Sequence, residues 1–230
     1  YQLHWSQSLS ARASAVLNLA PDHIDWHGGL DAYTADKARI YERTQVAAVY
    51  NVQDPVTEHM VEEADVVEGC RAIGFTLGVP ATGMIGLVDD AIADRAFIAG
   101  RVSSAAELGS ITDIGLSAHG DSSRVPAPHV VANALAASAL ARAHGVEPRA
   151  VRDGLRAFVP DAHRIADVAT IAGVRWVDDS KATNPHAAQA SLSGFDHVVW
   201  IAGGLAKGAA FDELVIAARD RLRAVVLIGA

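Results

Sequence analysis

The chain has little cysteine, few aromatic residues and no excess of basic residues. Cys70 is the only cysteine, so no intrachain disulfide can form and a reducing compartment is the simpler expectation. The formal net charge of -8 at pH 7, without a basic stripe or tail, argues against a nucleic-acid or membrane-surface partner. No apolar run reaches membrane-spanning length and nothing has the pattern of a signal peptide. These absences predict a cytoplasmic protein.

The remaining composition is that of a globular α/β protein. Of the 230 residues, 50% are hydrophobic and 20% charged, which suits one large domain or two modest ones. Strand-like and helix-like segments alternate, and this order predicts mainly parallel sheets with flanking helices. We place a domain boundary near Pro160, between residues 1–158 and 159–230, and expect a monomer.

Lys37 occupies the centre of a predicted apolar helix face. The segment from about residue 30 to 43 has helical periodicity, and one of its faces would hold Leu30, Tyr33, Lys37, Ile40 and Tyr41. A buried ammonium group is costly, so the amine would tend towards its neutral form, which can react with carbon dioxide to give a metal-binding carbamate. The alternative is a lysine that lays its stem on apolar surface and keeps its charge in water.

A polar loop ahead of that helix concentrates possible metal ligands. Residues Asp22-His-Ile-Asp-Trp-His27 place two carboxylates and two imidazoles close together. Such ligands suit magnesium, manganese or zinc, although a polar loop that caps the next helix would look the same. A metal hydrolase built on this loop is therefore one functional hypothesis. Lys37 is near enough in sequence to face the same site.

Several later segments suggest that an anion or a nucleotide binds. Residues 178–184 leave a strand and enter a helix, where the helix N-terminus favours anions, although a plain N-cap needs only one of these side chains. Residues 201–208 contain glycines and Lys207 but lack the Gly-Lys-Ser/Thr order of a Walker motif. His163 and Arg164 could be a surface pair or an anion clamp. Asn133, on an alanine-rich helix, is expected to be buried against the edge of a base.

Together these segments resemble the Mur ligase family along essentially the whole chain. Asp22-His23-x-Asp25 is similar to the stretch around the family's metal-binding histidine, and Tyr33-x-x-x-Lys37 is similar to the helix that carries its carbamylated lysine. The resemblance implies that His23 and Lys37 are catalytic and hold metal ions. It also implies that Gln2 contacts the nucleotide substrate.

The second half of the chain extends the resemblance. Asn133-Ala-Leu-Ala-Ala137 is similar to the family's adenine-side helix, although Val130 stands where an asparagine is often found. His163-Arg164 resembles the pair that opens the family's C-terminal domain. The resemblance implies that Asn133 and Arg164 bind ATP.

The motif Asp179-Ser-Lys-Ala-Thr-Asn184 has the form found in family members that add D-glutamate, whereas sister ligases have Asp-Tyr-Ala-His or Asp-Ala-Tyr-Asn there. By this resemblance Asp179 would bind ATP, Lys181 would neutralise phosphate charge, and Thr183 and Lys207 would orient the incoming amino acid.

The implied activity is ATP-dependent addition of D-glutamate to UDP-N-acetylmuramoyl-L-alanine in peptidoglycan precursor synthesis, with ATP and Mg²⁺ (or Mn²⁺) as cofactors. The implied domains are part of a central ATP-binding domain (1–158) and part of a C-terminal Rossmann-like domain (159–230), both of mononucleotide-binding type. The family's Walker loop and UDP-sugar domain would precede Tyr1, so the chain alone is expected to be inactive. The alternatives are another Mur or folylpolyglutamate-type ligase, the metal hydrolase, and a non-catalytic nucleotide-binding module.

Overall fold

The computed structural model describes residues 1–115, 126–159, 161–206 and 209–229. Contacts between residues divide these into two compact units, one of residues 1–115 and 126–158 and one of the described residues from 159 onwards. Each of the three β-sheets lies within one unit. Within the described ranges, no helix is both long and apolar enough to cross a membrane.

The first unit is built on a six-stranded sheet in the order β1 to β6. Its strands are β1 (Ala13–Ala15), β2 (Ala47–Asn51), β3 (Arg71–Phe75), β4 (Met84–Val88), β5 (Ala91–Asp94) and β6 (Ala106–Ser110). The first four are parallel, and β5 and β6 are added antiparallel. The predicted hairpin around Asp89-Asp90 is confirmed by the pairing of β4 with β5. The predicted α/β class with mainly parallel sheets is likewise confirmed.

Strand β1 is shorter than the predicted strand over residues 13–19. Beyond Ala15, side chains of neighbouring segments become acceptors: the Val16 amide lies 2.9 Å from the Tyr41 hydroxyl and 3.4 Å from the Val49 carbonyl, and the Leu19 amide donates to the Asp54 carboxylate at 2.6 Å. The chain therefore leaves the sheet early and forms a loop at the carboxyl end of β1.

The α-helices of this unit that the structure describes are α1 (Gln2–Trp5), α2 (Ile24–His27), α3 (Leu30–Ala38), α4 (Pro55–Glu62), α5 (Pro128–Ala143) and α6 (Pro148–Ala157). The helix predicted over residues 30–43 ends as an α-helix at Ala38 and continues as a 3₁₀ turn to Tyr41. The cause is Tyr41, whose fully buried side chain donates its hydroxyl to the Val49 carbonyl at 2.6 Å and so fixes the last turn against the sheet.

The core of the first unit lies between the sheet and α5. Val49, Ile73, Phe75 and Ile85 of the strands are at most 1% exposed and pack with Leu135 of α5. The buried face of α5 otherwise consists largely of alanines, which allow the helix to lie close to the strands.

The second unit has two small sheets. Strands β7 (Ala166–Ile171) and β8 (Val174–Asp178) form an antiparallel hairpin through Ala172-Gly173, as predicted. Strands β9 (Val198–Gly203) and β10 (Leu222–Ile228) are parallel. Helices α7 (Pro185–Leu192) and α8 (Asp212–Ala218) supply a core of Ala188, Leu192, Leu214 and Ala218. The βαβ connection from β9 through α8 to β10 places the ends of both strands on one edge.

Candidate functional site

Lys37 lines a pocket of about 360 Å³ at the carboxyl end of β1. The other lining residues are Leu3, Ala15, Val16, Leu17, Asn18 and Ile40. The carboxyl ends of parallel strands are where open α/β sheets bind ligands. The half-buried amine of Lys37 therefore lies at the edge of the sheet where chemistry is expected.

The surroundings of Lys37 are more polar than the predicted apolar face. Leu30 is 44% exposed, which corrects its place in that face, because α3 begins at Leu30 next to a glycine turn on the surface. Burial lowers the pKa of the Lys37 ammonium, and the carboxylates of Asp22 and Asp54 raise it. The net pKa is below the ordinary lysine value. The neutral amine, which can react with carbon dioxide, is thus more accessible than in a solvated lysine.

The loop that lines this pocket is held by side chains beyond the end of β2. Asn51 donates from Nδ2 to the Leu17 carbonyl at 2.9 Å, and Asp54 accepts from the Leu19 amide. Sequence reasoning missed this role of Asn51 and Asp54. The signal was polar side chains directly after a buried strand, here Asn51-Val-Gln-Asp54.

His23 precedes the short helix α2 and has a left-handed backbone, with φ of 53°. This conformation is unfavourable for a residue with a β-carbon and is more frequent at functional sites. Its Nδ1 lies 2.9 Å from the Tyr1 hydroxyl, and its Nε2 lies 3.7 Å from Oδ1 of Asp22. With Nδ1 occupied by Tyr1, Nε2 is the ring atom that could bind a metal ion, and an imidazole ligand commonly has its second nitrogen hydrogen-bonded in this way.

The second imidazole of the polar loop has a different partner. Nδ1 of His27 lies 2.7 Å from Oδ2 of Asp36, and Nδ1 of His4 lies 2.9 Å from Oδ1 of the same carboxylate. Burial would raise the pKa of Asp36, but the hydrogen bonds from His4 and His27 outweigh it, so the pKa is below the ordinary value. Sequence reasoning missed Asp36 and His4, because nothing local links residues so far apart.

The polar loop therefore does not form a metal cluster by itself. His27 is directed to Asp36, and among the described residues no group of three or more His, Cys, Asp or Glu side chains is arranged to hold a metal ion. The metal-hydrolase hypothesis loses its structural basis, because it required several ligands from residues 22–27.

The helix α1 carries Gln2, whose side chain is exposed. Two guanidinium nitrogens of Arg39 donate to the carbonyls of His4 and Ser6, at 2.6 and 2.7 Å. These bonds satisfy carbonyls at the end of a helix that is too short to be stable alone.

Asn133 lies on α5 with its side chain exposed, which corrects the expectation of a buried amide. The reason is its position on the helix: Ala134 and Leu135 point into the core, so Asn133 points away from it. The exposed amide could form a hydrogen bond with a ligand that binds from solution.

In the second unit, the turn after β8 is hydrogen-bonded to the segment around Arg164. Oδ1 of Asp179 accepts from the Ile165 amide at 3.1 Å, and the Lys181 amide donates to the His163 carbonyl at 3.1 Å. The segment that carries Arg164 is thereby held next to the turn that carries Asp179 and Lys181. Oδ2 of Asp179 is buried, with no hydrogen-bond partner among the described residues.

Arg164 itself is displayed towards solvent. Its side chain is 63% exposed and, among the described residues, pairs loosely with Asp161 at 3.8 Å. The residues on either side, His163 and Ile165, have left-handed backbones with φ of 65° and 51°. A β-branched residue rarely adopts this conformation, so the surrounding hydrogen bonds hold this segment in a strained form.

Asp178 anchors the same turn. The Ser180 amide donates to Oδ1 of Asp178 at 2.9 Å, and Nδ1 of His163 lies 2.6 Å from Oδ2. The hydrogen bond from the Ser180 amide, with that from His163, lowers the pKa of Asp178 to about 2. A carboxylate that is ionised at neutral pH thus fixes the turn that carries Asp179 and Lys181.

The N-cap of α7 is Asn184, whose side chain accepts from the Ala187 amide at 2.8 Å. Thr183 is therefore not needed as the cap, and it is exposed beside the helix N-terminus. Lys207, which is predicted to orient the incoming amino acid together with Thr183, lies outside the described residues.

A family model places this chain in a known family. The chain belongs to the Mur ligase family: the profile of the Mur ligase middle domain matches residues 1–141. Among curated proteins, those named UDP-N-acetylmuramoylalanine--D-glutamate ligase from Streptomyces avermitilis and Streptomyces coelicolor are 60% and 61% identical to it over 230 residues. These alignments cover 100% of this chain and 47% of each relative, so the chain spans about half the length of the curated relatives it matches.

A solved structure supports the fold independently. The crystal structure of MurF from Acinetobacter baumannii matches 94% of this chain and 50% of its own, with a TM-score of 0.62 and 19% identity. At this identity the likeness concerns the fold alone.

Proposed function

We propose that the complete gene product containing this chain is an ATP-dependent amide ligase that adds D-glutamate to UDP-N-acetylmuramoyl-L-alanine in the cytoplasm. The observation that carries the proposal is 60–61% identity, along the entire chain, to proteins named for this reaction. The motif at Asp179–Asn184 supports the same choice over a sister ligase, because it has the form found in family members that add D-glutamate.

The reaction would have two steps. The γ-phosphoryl group of ATP is transferred to the L-alanine carboxylate, giving ADP and an acyl phosphate. The D-glutamate amine then attacks the acyl carbon through a tetrahedral intermediate, phosphate leaves, and the amine loses a proton. Anionic oxygens accumulate on both reactants, so cationic groups are needed to offset their repulsion.

In the first unit, His23 and Lys37 would hold magnesium ions, His23 through Nε2 and Lys37 as its carbamate. Mg²⁺ characteristically uses one or two carboxylate ligands together with substrate phosphates and water; the carbamate of Lys37 would supply such oxygens, and Mn²⁺ could substitute. The metal ions would supply charge neutralisation at the transferred phosphoryl group. Gln2, exposed on α1, would contact the nucleotide substrate, and Asn133 would meet the adenine.

In the second unit, Arg164 and Asp179 would bind ATP, and Lys181 would face phosphate oxygens. The exposed guanidinium of Arg164 pairs with Asp161 at 3.8 Å, and an exposed contact of this length is weak enough to give way to an anion. The unpartnered Oδ2 of Asp179 is suited to accept from a hydroxyl group of a ligand. Thr183 and Lys207 would orient D-glutamate.

The test is a substrate-omission assay on the complete gene product. We expect ADP and phosphate release, and incorporation of labelled D-glutamate, only when ATP, Mg²⁺, the nucleotide substrate and D-glutamate are all present. L-alanine, L-lysine and L-glutamate serve as matched controls. Preference for another amino acid would favour a sister ligase, and hydrolysis of the nucleotide substrate without ATP would favour the hydrolase.

A further inference from the structure

Two adjacent residues of α3, Asp36 and Lys37, have different surroundings. Lys37 lines the pocket at the end of β1, while Asp36 accepts hydrogen bonds from His27 at 2.7 Å and from His4 at 2.9 Å. The side chains of Asp36 and His27 are 15% and 4% exposed, so this contact is shielded from water. A carboxylate that is shielded from water and lacks hydrogen-bond donors would be costly. The pairing of Asp36 with two imidazoles is therefore a specific feature of this part of the fold.

We propose that Asp36 is a positioning residue for the ligase reaction, holding α1, α2 and α3 in register so that Gln2, His23 and Lys37 face one site. This inference rests on the proposed function. The three predicted site residues of this part of the chain stand on, or directly before, three separate short elements: Gln2 on α1, His23 before α2 and Lys37 on α3. One carboxylate joins all three, since His4 belongs to α1 and His27 to α2.

The two helices that Asp36 joins to α3 need contacts with other elements to be stable. Helices α1 and α2 have four residues each and no side-chain N-cap, and helices of this length are not stable in isolation. The Arg39 guanidinium holds the backbone of α1 independently. Among the described residues, the hydrogen bond from His27 to Asp36 is the side-chain hydrogen bond that ties α2 to α3. Loss of Asp36 should therefore displace α2, and with it His23, more than α1.

The chemistry of the acceptor explains why this position needs a carboxylate. Asp36 accepts from two ring nitrogens at once: His27 uses Oδ2, and Nδ1 of His4 lies 2.9 Å from Oδ1 and 3.0 Å from Oδ2. An asparagine amide has one acceptor oxygen and one donor nitrogen, so in either orientation Asp36→Asn presents an N–H to at least one of the two imidazoles. The substitution preserves size, and it removes the negative charge together with the double acceptance.

The hydrogen bonds can be tested without any activity. Selective ¹⁵N labelling of histidine in the complete gene product should show His27 with a protonated Nδ1, assigned by its loss in His27→Asn. In Asp36→Asn, one of the two imidazoles should change to the Nε2–H tautomer, because its Nδ1 then faces an amide donor. An unprotonated Nδ1 of His27 in the unaltered protein would overturn the proposal.

The positioning role is tested by comparing Asp36→Asn with Asp31→Asn. Asp31 lies exposed in the first turn of the same helix, so it controls for the lost charge. For Asp36→Asn we expect kcat/KM for the nucleotide substrate to fall roughly tenfold to hundredfold, as for ångström-scale misplacement of reacting groups, with a higher Mg²⁺ requirement. The KM for D-glutamate should change little, because its predicted ligands lie after residue 180. Asp31→Asn should resemble the unaltered enzyme.

A conservative rescue separates positioning from mere packing. His27→Asn retains a δ-nitrogen donor for Asp36, whereas His27→Leu does not, so His27→Asn should keep the larger share of kcat/KM. Equal losses in the two variants, or an Asp36→Asn enzyme that merely contains less folded protein with unchanged KM values, would overturn the proposal. A gene product with the predicted histidine tautomers but no ligase activity would instead overturn the proposed function.

Discussion

The carboxylate of Asp94 accepts a hydrogen bond of 2.8 Å from Nε of Arg142, and this ion pair joins the β4–β5 hairpin to α5. Asp94 is fully buried, and its other oxygen accepts from the amides of Ala96 and Phe97. All of its charge is thus compensated by groups fixed in the fold. The pair ties the antiparallel part of the sheet to the helix that covers the parallel part.

Replacing Arg142 should destabilise the protein, because an uncompensated charge would remain at Asp94. For Arg142→Leu we expect a loss of about 3–5 kcal/mol in the free energy of unfolding, measured by urea denaturation. Arg149→Leu is the matched control, since Arg149 is exposed on α6, and it should change stability by less than about 0.5 kcal/mol. Equal effects of the two substitutions would show that the ion pair is not what anchors α5.

Lys37 should be carbamylated in the folded protein. With ¹³C-labelled bicarbonate, a carbamate signal should appear and be lost in Lys37→Arg but not in Lys181→Arg. Because burial lowers the Lys37 pKa, labelling should begin at lower pH than for a solvated lysine and rise with pH as the amine deprotonates. Lys37→Ala should reduce turnover far more than ATP affinity. A bare lysine directed into solvent in a crystal structure with an intact metal site would contradict this prediction.

The turn at Asp178 should make the second unit sensitive to acid. The folded pKa of about 2 lies below the ordinary aspartate pKa of 3.8, so between these values the unfolded chain binds more protons than the folded one. Stability therefore rises with pH across that window: the contribution of Asp178 is complete above the unfolded pKa and is lost as pH falls through the folded one. Asp178→Asn should flatten this part of the stability–pH curve. A carboxyl titration of Asp178 centred near its ordinary pKa, followed by ¹³C NMR, would show that Ser180 and His163 do not hold it.

Lys207 and Thr183 are predicted to select the incoming amino acid, while Asp179 and Arg164 serve ATP. Lys207→Ala should raise the D-glutamate KM roughly tenfold to hundredfold, as expected for about 1.5–3 kcal/mol from one charged hydrogen bond. The ATP KM should barely change, because the binding lost is to the amino acid alone. Lys181→Ala is the comparison variant, and we expect its main effect to be on the ATP KM. A Lys207→Ala enzyme that binds only ATP more weakly would reverse these assignments.

Features specified by neighbouring residues were predictable. The hairpins at Asp89-Asp90 and Ala172-Gly173 are confirmed because a polar or glycine-containing turn between short apolar runs determines them locally. Among the polar side chains of residues 178–184, Asn184 is the one that caps α7, a choice that the sequence had left open. The family resemblance was also a property of local motifs, and the match to the Mur ligase middle domain confirms it.

Features that depend on partners distant in sequence were not predictable. The early end of β1 depends on Tyr41 and Asp54, the exposure of Asn133 depends on which face of α5 meets the sheet, and the role of Asp36 depends on His4, 32 residues away. Local periodicity contains no information about such pairs, because each is formed only when separate elements pack together. The sequence by itself therefore determined the order of elements, their local turns and the chemical groups near the strand ends. The tertiary structure alone decided which groups became partners, since burial and hydrogen bonding are settled between elements.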